Sequence, residues 1–446
     1  MNATEPIVKV GLIEDANEVA LRLDGAWRDA LGERLSPGDY RVHRAGAGVV
    51  LAGPDSRSGG RLELVPENPQ APDAASFSLE ATIGIAFHWQ RREVQTFRGG
   101  LDLRPGAGAG LAVINRVPLE TYLASVIGSE MRAGAPPALA RAHAIISRSW
   151  LLAQLAARDR SAAPAPPAAI ERGEIRTWTD RQAHADFDVC ADDHCQRYQG
   201  IGRLRSPAAA AAVAATRGQV LIHGGQPCDA RFSKCCGGVT EDFRSAWSDT
   251  PVPYLVPVRD AADRRLPDPP LSDEAALRRF IEQPPAGYCN CGDEELLAAV
   301  LNDYDRETRD FFRWRVRLDA AAAGALVRRK SGVDLGRLTA LEPLQRGLSG
   351  RLLRLRLVGE AGSLVVGKEL AIRRALSESH LFSSAFAIDT EGPAGRPDAF
   401  VLRGAGWGHG VGLCQIGAAV MAAAGHDHRA ILAHYYPQTV IEQGYD

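Results

Sequence analysis

The segment GWGHGVGLCQIGA, residues 406–418, has the composition of a loop that presents side chains to a ligand. Its glycines surround one histidine: Gly406, Gly408, His409, Gly410 and Gly412. Glycine permits positive φ and lets another molecule approach the backbone closely. We therefore expect the loop to present His409 and Gln415. The alternative is a tight turn that opens an alanine-rich helix near Gln415, with His409 satisfied inside the turn.

A candidate acid lies at the end of a short helix predicted within residues 113–131. This helix follows a strand and ends at Glu130. Partial burial raises the pKa of a carboxyl group toward the range in which it serves as a general acid. A solvated glutamate at a helix end is the alternative interpretation.

Ligand-type residues in HADFDVCADDHCQRYQG, residues 184–200, follow the spacing H-x5-C-x4-C. His184, Cys190 and Cys195 form this pattern, and His194 is an additional candidate. Imidazole and thiolate ligands at such short spacings favour Zn²⁺. Three protein ligands would leave a fourth position for water or substrate. A disulfide between the two cysteines, or two unrelated thiols, is the alternative.

The segment ARFSKCCGGVTE, residues 230–241, is predicted to be a strand that ends in a Gly-Gly turn, a position typical of a binding edge. It carries four candidates: Ser233, Lys234, Cys235 and Cys236. Vicinal cysteines rarely bond to each other without strain, so one of them is expected to pair elsewhere. The candidate partners are Cys228, Cys289 and Cys291.

Three histidines in GHDHRAILAHYYP, residues 425–437, permit a metal-site interpretation: His426, His428 and His434. An amphipathic terminal helix with surface histidines explains the same pattern, and we favour that simpler interpretation.

The elements that must position these residues predict a mixed α/β (α+β) fold. Short alternating apolar runs separated by Gly, Pro and Asp predict an N-terminal β-rich domain over residues 1–95. We expect a core in two parts, residues 96–260 and 365–446, with an inserted lobe over residues 261–364.

One long helix is predicted inside the first part of that core. Residues 136–157, PPALARAHAIISRSWLLAQLAA, begin with proline and have a helical apolar period. His143, Arg148 and Ser149 interrupt this apolar segment, where a charge needs a partner. The following SAAPAPPAA, residues 161–169, has the composition of a linker.

The overall composition is that of an ordinary globular protein of 446 residues. The 52 basic and 54 acidic residues give a net charge of −2, which argues against nucleic-acid binding. No apolar run is long enough to predict a transmembrane segment, and the N-terminus lacks the pattern of an export signal.

Several motifs in one order along the chain together resemble the SpoIID/LytB family of peptidoglycan lytic transglycosylases. They are NRVPLETYL at 115–123, SEM at 129–131, ARAHAIISRS at 140–149, QRYQG at 196–200, TRGQVL at 216–221, GKELAIRRAL at 367–376, the 406–418 segment and HYYP at 434–437. The resemblance covers roughly residues 96–260 and 365–440. A SpoIID-like core is thus expected, with an N-terminal and an inserted lobe.

The resemblance implies cleavage of denuded glycan strands between N-acetylmuramic acid and N-acetylglucosamine, which leaves 1,6-anhydro ends. Glu130 of the SEM motif would be the catalytic acid. The sugar-binding residues would be Arg148, Ser149, Tyr198, Ser233, Lys234, His409 and Gln415. Zinc would be held at the positions of His184, Cys190 and Cys195, as in a characterised branch of the family. Where the family often has serine or threonine, this chain has Cys235, Cys236 and Cys414.

The same resemblance implies an extracytoplasmic location and a possible cell-wall amidase as a partner. Two other function classes remain open. One is a non-catalytic glycan-binding protein that activates an amidase. The other is a zinc-dependent hydrolase, in which water on the metal attacks instead of Glu130 acting as the acid.

Overall fold

The computed structural model describes residues 4–68, 74–85, 90–158, 170–171, 173–176, 184–203, 207–306 and 308–446. These residues form a mixed α/β fold, as the sequence predicts. The linker predicted at residues 161–169 lies outside the described residues. No helix in the described ranges combines the length and the apolar composition needed to cross a membrane.

The first 118 residues contain only strands among the regular elements described there. They are β1 (Ile7–Ala16), β2 (Glu18–Gly25), β3 (Trp27–Asp29), β4 (Arg34–Leu35), β5 (Gly38–Ala45), β6 (Gly48–Ala52), β7 (Arg57–Gly59), β8 (Leu62–Pro66), β9 (Ala75–Ile83), β10 (Arg91–Phe97), β11 (Gly100–Pro105) and β12 (Leu111–Pro118).

Helices and short strands follow. They are α1 (Leu119–Glu130), α2 (Pro137–Arg158), β13 (Ile170–Glu171), β14 (Glu174–Arg176), β15 (Val189–Cys190), α3 (Pro207–Ala215), β16 (Gln219–His223), β17 (Gln226–Pro227) and β18 (Phe232–Ser233). The rest of the chain contains α4 (Glu274–Glu282), α5 (Glu294–Val300), β19 (Arg313–Asp319), α6 (Ala320–Ser331), β20 (Leu338–Arg346), β21 (Leu352–Gly359), β22 (Gly362–Gly367), α7 (Glu369–Ala375), β23 (Phe386–Glu391), β24 (Ala399–Ala405), β25 (Leu413–Cys414), α8 (Gln415–Ala423), α9 (His428–Tyr435) and β26 (Val440–Gln443).

Two sheets enclose the N-terminal core. Their strand orders are β15-β1-β12-β11-β8-β3-β4 and β10-β9-β2-β5-β6-β7. Alternate residues of β2 are buried, because successive side chains on a strand point to opposite faces. The antiparallel pairing of β1 with β12 joins strands from both sides of the boundary proposed at residue 95. The first 95 residues and the start of the proposed core thus contribute to one sheet.

The helical pair α1 and α2 carries the predicted acid and the predicted buried helix. Proline at the first position of α2 suits a helix N-terminus, where an amide hydrogen has no intrahelical acceptor. The helix runs over Pro137–Arg158, within one residue of its predicted bounds. Helix α1 ends at Glu130 because Met131 adopts an extended conformation.

The segment predicted as an inserted lobe shares sheets with residues outside it. Strand β19 pairs with β24, which follows the segment in sequence, and β22 pairs in parallel with β14, which precedes it. A second apolar core lies here, between these sheets and helices α6 and α7.

Candidate functional site

A groove of about 1310 Å³ brings most of the predicted site residues together. Those that line it are Glu130, His184, Cys190, Cys195, Tyr198, Ser233, Lys234, His409 and Gln415. Two short strand pairings position them. Strand β15 lies parallel to β1 at the groove wall, and β18 lies parallel to β25, which sets Ser233 beside Cys414.

Glu130 lies at the groove with only 8% of its surface exposed. Its Oε1 accepts a hydrogen bond from the Arg197 amide at 3.4 Å. Among the described residues no side-chain cation is bonded to this carboxylate. Glu130 is thus a largely desolvated carboxyl group that faces an open groove.

The neighbouring carboxylates are instead engaged with cations. Asp193 Oδ1 lies 2.5 Å from Arg197 Nε, and Asp305 Oδ2 lies 2.6 Å from Lys234 Nζ. Burial acts to raise the pKa of Asp305, but the charges of Lys234 and Arg197 lower it overall. These two carboxylates are held as ion-pair partners, which distinguishes them from Glu130.

Arg148 and Ser149 do not line the groove, contrary to the expectation that they bind sugar. Both are fully buried on α2. Arg148 Nη2 lies 2.6 Å from Glu120 Oε2, and its Nη1 donates to the Gln219 carbonyl at 3.0 Å. Ser149 Oγ donates to Ile145 O and accepts from Leu221 N at 2.7 Å. Their polar groups are used to attach α2 to α1 and β16.

Tyr198 reaches the groove wall but is bonded mainly to the core. Its ring stacks on Tyr122 and Phe97, with centroids 5.1 and 5.5 Å away. Its hydroxyl donates to Asn115 Oδ1 at 2.7 Å. Tyr198 is 2% exposed, so it shapes the wall rather than offering a free hydroxyl.

The glycine-rich loop does present His409 at the groove, and local contacts hold its ring. Nδ1 accepts a hydrogen bond from the Val411 amide at 3.0 Å, and the ring packs against Trp247 at 4.7 Å. Burial and then the charges of nearby arginines, Arg231 first, hold the pKa of His409 well below its usual range. The imidazole is therefore neutral. Both interpretations made from the sequence apply to this residue.

Gln415 and Ser233 differ in whether their side chains have hydrogen-bond partners within the described part of the protein. Gln415 Nε2 lies 3.1 Å from His143 Nε2, inside the protein. Ser233 Oγ is buried and has no hydrogen-bond partner in the described part of the chain. An unpaired buried hydroxyl costs free energy unless a ligand satisfies it. Ser233 is thus the residue of the predicted set best placed to accept a ligand hydroxyl.

Three tryptophans at the groove were missed by the sequence reasoning: Trp150, Trp247 and Trp407. The guanidinium of Arg231 lies 4.2 Å from the Trp247 ring centre. Trp407 stacks on Phe311 at 5.4 Å. Aromatic faces with a few polar groups are typical of ligand pockets. Of the three, Trp407 could have been predicted from the sequence, because it lies between two glycines of the 406–418 segment.

The predicted zinc ligands meet, and His194 joins them. The ligand atoms of His184, Cys190, His194 and Cys195 all lie within 4.8 Å of one another. The two histidine nitrogens are 3.2 Å apart, and Cys195 Sγ lies 3.6 Å from His184 Nε2 and 3.4 Å from His194 Nδ1. Both cysteines are free thiols. This group can hold a metal ion with four protein ligands.

The contacts of this group also favour the charged form of one thiol. Hydrogen bonds from Cys195, then His184 and His194, lower the pKa of the Cys190 thiol. The carboxylate of Glu14 lies 3.6 Å from His184 Nδ1, on the side of the ring away from the cysteines. At this distance the carboxylate is a charge contact, and His184 Nδ1 has no hydrogen-bond partner among the described residues.

A second cluster lies deeper, below the strand that carries Ser233. Cys236, Asp260, Cys289 and Cys414 are all buried, and their ligand atoms also lie within 4.8 Å of one another. Of the partners suggested for the vicinal cysteines, the structure brings Cys289 within 3.6 Å of Cys236. Burial raises the pKa of Asp260 to about 7.

His434 is not a surface residue, which corrects the interpretation of the terminal helix. It is 7% exposed, and its Nε2 lies 4.0 Å from Asp260 Oδ1. Burial lowers its pKa to about 4, so it is neutral near pH 7. Its ring packs against Tyr288, with the ring centres 5.6 Å apart. A helical period alone does not identify this buried contact.

Comparison with known proteins finds two family matches within the chain. Residues 107–223 match the family described as "Stage II sporulation protein" (SpoIID), and residues 241–412 match a family described as "Domain of unknown function (DUF8618)". The first match contains Glu130 and the cluster of His184, Cys190, His194 and Cys195. The second contains Asp260, Cys289 and most of the glycine-rich loop.

Three curated proteins are similar to this chain. Stage II sporulation protein D of Bacillus subtilis (strain 168) is 24% identical over 331 residues, 74% of this chain and 76% of the relative. The protein of the same name from Bacillus amyloliquefaciens is 23% identical over 323 residues, 72% of this chain and 74% of the relative. An amidase enhancer of Bacillus subtilis (strain 168) is 25% identical over 237 residues, 52% of this chain and 32% of the relative. Residues 107–223 thus match the SpoIID family, and most of the chain is distantly similar to two stage II sporulation proteins D.

Proposed function

We propose that this protein is a lytic transglycosylase that cleaves peptidoglycan glycan strands between N-acetylmuramic acid and N-acetylglucosamine. The observation that carries the proposal is Glu130, a largely buried carboxyl group at an open groove whose neighbouring carboxylates are paired with Arg197 and Lys234. The match of residues 107–223 to the SpoIID family supports it. Such a substrate places the working protein in the cell envelope.

In the proposed reaction Glu130 acts twice. As the acid it gives its proton to the glycosidic oxygen, and the bond from that oxygen to C1 of the muramyl sugar breaks. As the carboxylate it then accepts the proton of the muramyl C6 hydroxyl while O6 bonds to C1. The products are a 1,6-anhydro end and a free C4 hydroxyl, so no water is consumed. One carboxyl group suffices because the nucleophile belongs to the substrate.

The groove offers the substrate both apolar and polar contacts. Trp247 and Trp407 present aromatic surface on which a sugar ring can pack. The Ser233 hydroxyl, free of partners among the described residues, is available to a sugar hydroxyl. Lys234 is held by Asp305, so it contributes positive charge from a fixed position.

We further propose that the His184, Cys190, His194 and Cys195 group holds a structural Zn²⁺. A tetrahedral zinc with Zn–N of about 2.1 Å and Zn–S of about 2.3 Å sets N–N near 3.4 Å and N–S near 3.6 Å. The observed separations are 3.2 Å for N–N and 3.4 to 3.9 Å for N–S. Bound zinc would supply stability to this segment of chain, which includes the Arg197 amide at Glu130. Four protein ligands leave no open position for water, which argues against the zinc hydrolase.

The test uses denuded glycan strands and mass spectrometry of the products. Glu130→Gln is expected to abolish the formation of 1,6-anhydromuramyl ends while glycan binding persists. Glu295→Gln, the same change at an exposed position of α5, is the control and should cleave like the wild type. Anhydro ends produced by Glu130→Gln would refute the assignment of the acid. Reducing ends in place of anhydro ends would refute the reaction type.

One finding favours a second candidate function. The amidase enhancer is similar to 52% of this chain, so activation of a cell-wall amidase is the alternative. It predicts glycan binding without new chain ends, together with a faster amidase in a mixed assay. Stimulation by Glu130→Gln equal to that by the wild type would show that this function does not need the acid.

A further inference from the structure

We propose that Cys236, Cys289, Cys414 and Asp260 form a second, closed structural zinc site beneath the groove. The proposal does not depend on the reaction assigned to Glu130. Each residue comes from a different part of the chain: Cys236 from the turn after β18, Asp260 from the loop before α4, Cys289 from the loop before α5 and Cys414 from the end of β25. All four are 2% exposed or less.

The separations fit one tetrahedral ion. With Zn–S of about 2.3 Å and Zn–O of about 2.0 Å, a tetrahedral site sets S–S near 3.8 Å and S–O near 3.5 Å. Cys236 Sγ lies 3.6 Å from Cys289 Sγ and 3.4 Å from Asp260 Oδ2. A disulfide requires sulfur atoms about 2.05 Å apart, and both cysteines are free. Iron–sulfur clusters spread their thiolates around several irons, whereas this set converges on one point.

The groups around the four residues hold them in ligand orientations. Tyr435 donates its hydroxyl to Asp260 Oδ1 at 2.6 Å, which leaves Oδ2 directed at the cysteines. Cys414 Sγ accepts the amide hydrogens of Cys236 at 3.2 Å and Gly417 at 3.4 Å. Amide donors to a sulfur stabilise its thiolate form, and hydrogen bonds of this kind to the ligand atoms accompany metal sites.

Nearby arginines balance the negative charge that such a site carries. Arg351 is fully buried, and both its Nη1 and Nη2 donate to the Cys236 carbonyl. Arg313 donates to the Gly237 carbonyl at 3.0 Å. Among the described residues Arg313 has no carboxylate partner. Three thiolates and a carboxylate around Zn²⁺ give a net charge of −2, which would compensate these cations.

The position of the site suggests what it stabilises. Cys236 lies in the turn after β18, two residues after Lys234, and Cys414 ends β25 immediately before Gln415, so each paired strand leads to one ligand and one groove residue. Cys289 would connect a third segment, the chain after residue 260, to the same ion. Asp305 of that segment accepts a hydrogen bond from Lys234. A zinc ion here would tie together the three segments that form the Ser233 side of the groove.

The experiment measures the metal content of the purified full chain. Inductively coupled plasma mass spectrometry is expected to find about two zinc ions per wild-type chain, one for each four-ligand group. Cys289→Ser should retain about one. Cys291→Ser is the matched control, because its Sγ lies 3.9 Å from the Asp293 carbonyl and outside both groups, and it should retain two. His194→Ala should also lower the content to about one.

A measurement on the wild type covers the case in which Cys289→Ser fails to fold. A mercurial reagent that modifies thiols should release about two zinc ions, which a colorimetric chelator counts. Intact mass under non-reducing conditions should show all eight cysteines reduced. One zinc ion per chain that His194→Ala removes, a disulfide among these cysteines, or iron in place of the second zinc would each overturn the proposal. Failure of glycan cleavage with two zinc ions bound would affect only the proposed reaction.

Discussion

Replacing Arg148 with methionine is expected to destabilise the protein without weakening glycan binding by the molecules that remain folded. Arg148 is fully buried and makes two hydrogen bonds to Glu120, from Nε at 3.0 Å and from Nη2 at 2.6 Å. Glu120 also accepts from the Gly218 amide at 3.1 Å and from the Tyr445 hydroxyl at 2.6 Å. The substitution leaves this carboxylate buried with neutral donors only.

The cost follows from that uncompensated charge. Removal of one partner of a buried ion pair costs about 3–5 kcal/mol. This corresponds to a change of about two to nearly four powers of ten in the unfolding equilibrium. Arg141→Met, the same change at an exposed position of α2, should cost less than about 0.5 kcal/mol.

The effect should also depend on pH in a stated direction. Burial acts to raise the pKa of Glu120, but the hydrogen bonds and charge of Arg148 lower it overall. A carboxyl group with a lowered folded-state pKa contributes stability above its unfolded pKa of about 4.5 and loses it as the pH falls further. The deficit of Arg148→Met relative to the wild type should therefore shrink below about pH 4.5.

Urea unfolding followed by tryptophan fluorescence measures the loss of stability, and sedimentation with insoluble glycan measures binding by the folded fraction. A variant with wild-type unfolding but weakened glycan binding would refute the structural role of Arg148. It would restore the sugar-binding role expected from the family motif.

Three further predictions concern single positions. His143 is buried, and its pKa is lowered to about 3, first by burial and then by the charge of Lys234. Urea titrations should therefore show the wild type losing about 1.4 kcal/mol of unfolding free energy per pH unit relative to His143→Gln between pH 6.5 and 4. The same pH dependence in both proteins would contradict this. Gly417→Ala should lower the melting temperature, because its Cβ would lie 2.4 Å from Tyr435 Oη; Gly292→Ala, with open space around the Cβ, is the control. Ser233→Ala should keep the melting temperature, but calorimetry should show glycan binding weakened about five- to tenfold. The substitution removes a hydroxyl whose only hydrogen-bond partner would be the ligand, among the described residues. Unchanged affinity would exclude Ser233 from the sugar site.

Local elements of this protein were predictable because short-range patterns specify them. The helix over Pro137–Arg158 has an apolar period and an initial proline, and it lies within one residue of its prediction. The ligands His184, Cys190 and Cys195 are close in sequence, so a single turn of chain brings them together. The choice between His184 and His194 stayed open, because spacing alone does not show that both rings reach the same point.

Long-range contacts were not predictable in the same way. Arg148 and Ser149 interrupt an apolar helix, and nothing in that pattern shows whether they face the groove or Glu120 and Leu221. Asp260 carries no motif at all, yet it lies among three cysteines. His434 is spaced like a surface residue but packs into the core.

By itself the sequence predicted the mixed α/β class, the helices that carry Glu130 and Arg148, the closeness of His184 to two cysteines and the glycine-rich loop. Each of these depends on residues near one another in the chain. Only the tertiary structure decided which polar residues meet the groove, how β1 and β12 join the proposed domains into one sheet, and that four distant residues converge in a second cluster. The physical reason is that burial, and contacts between distant segments, depend on how the elements pack against one another. Periodicity along a single segment indicates its apolar face but not the segment that covers it.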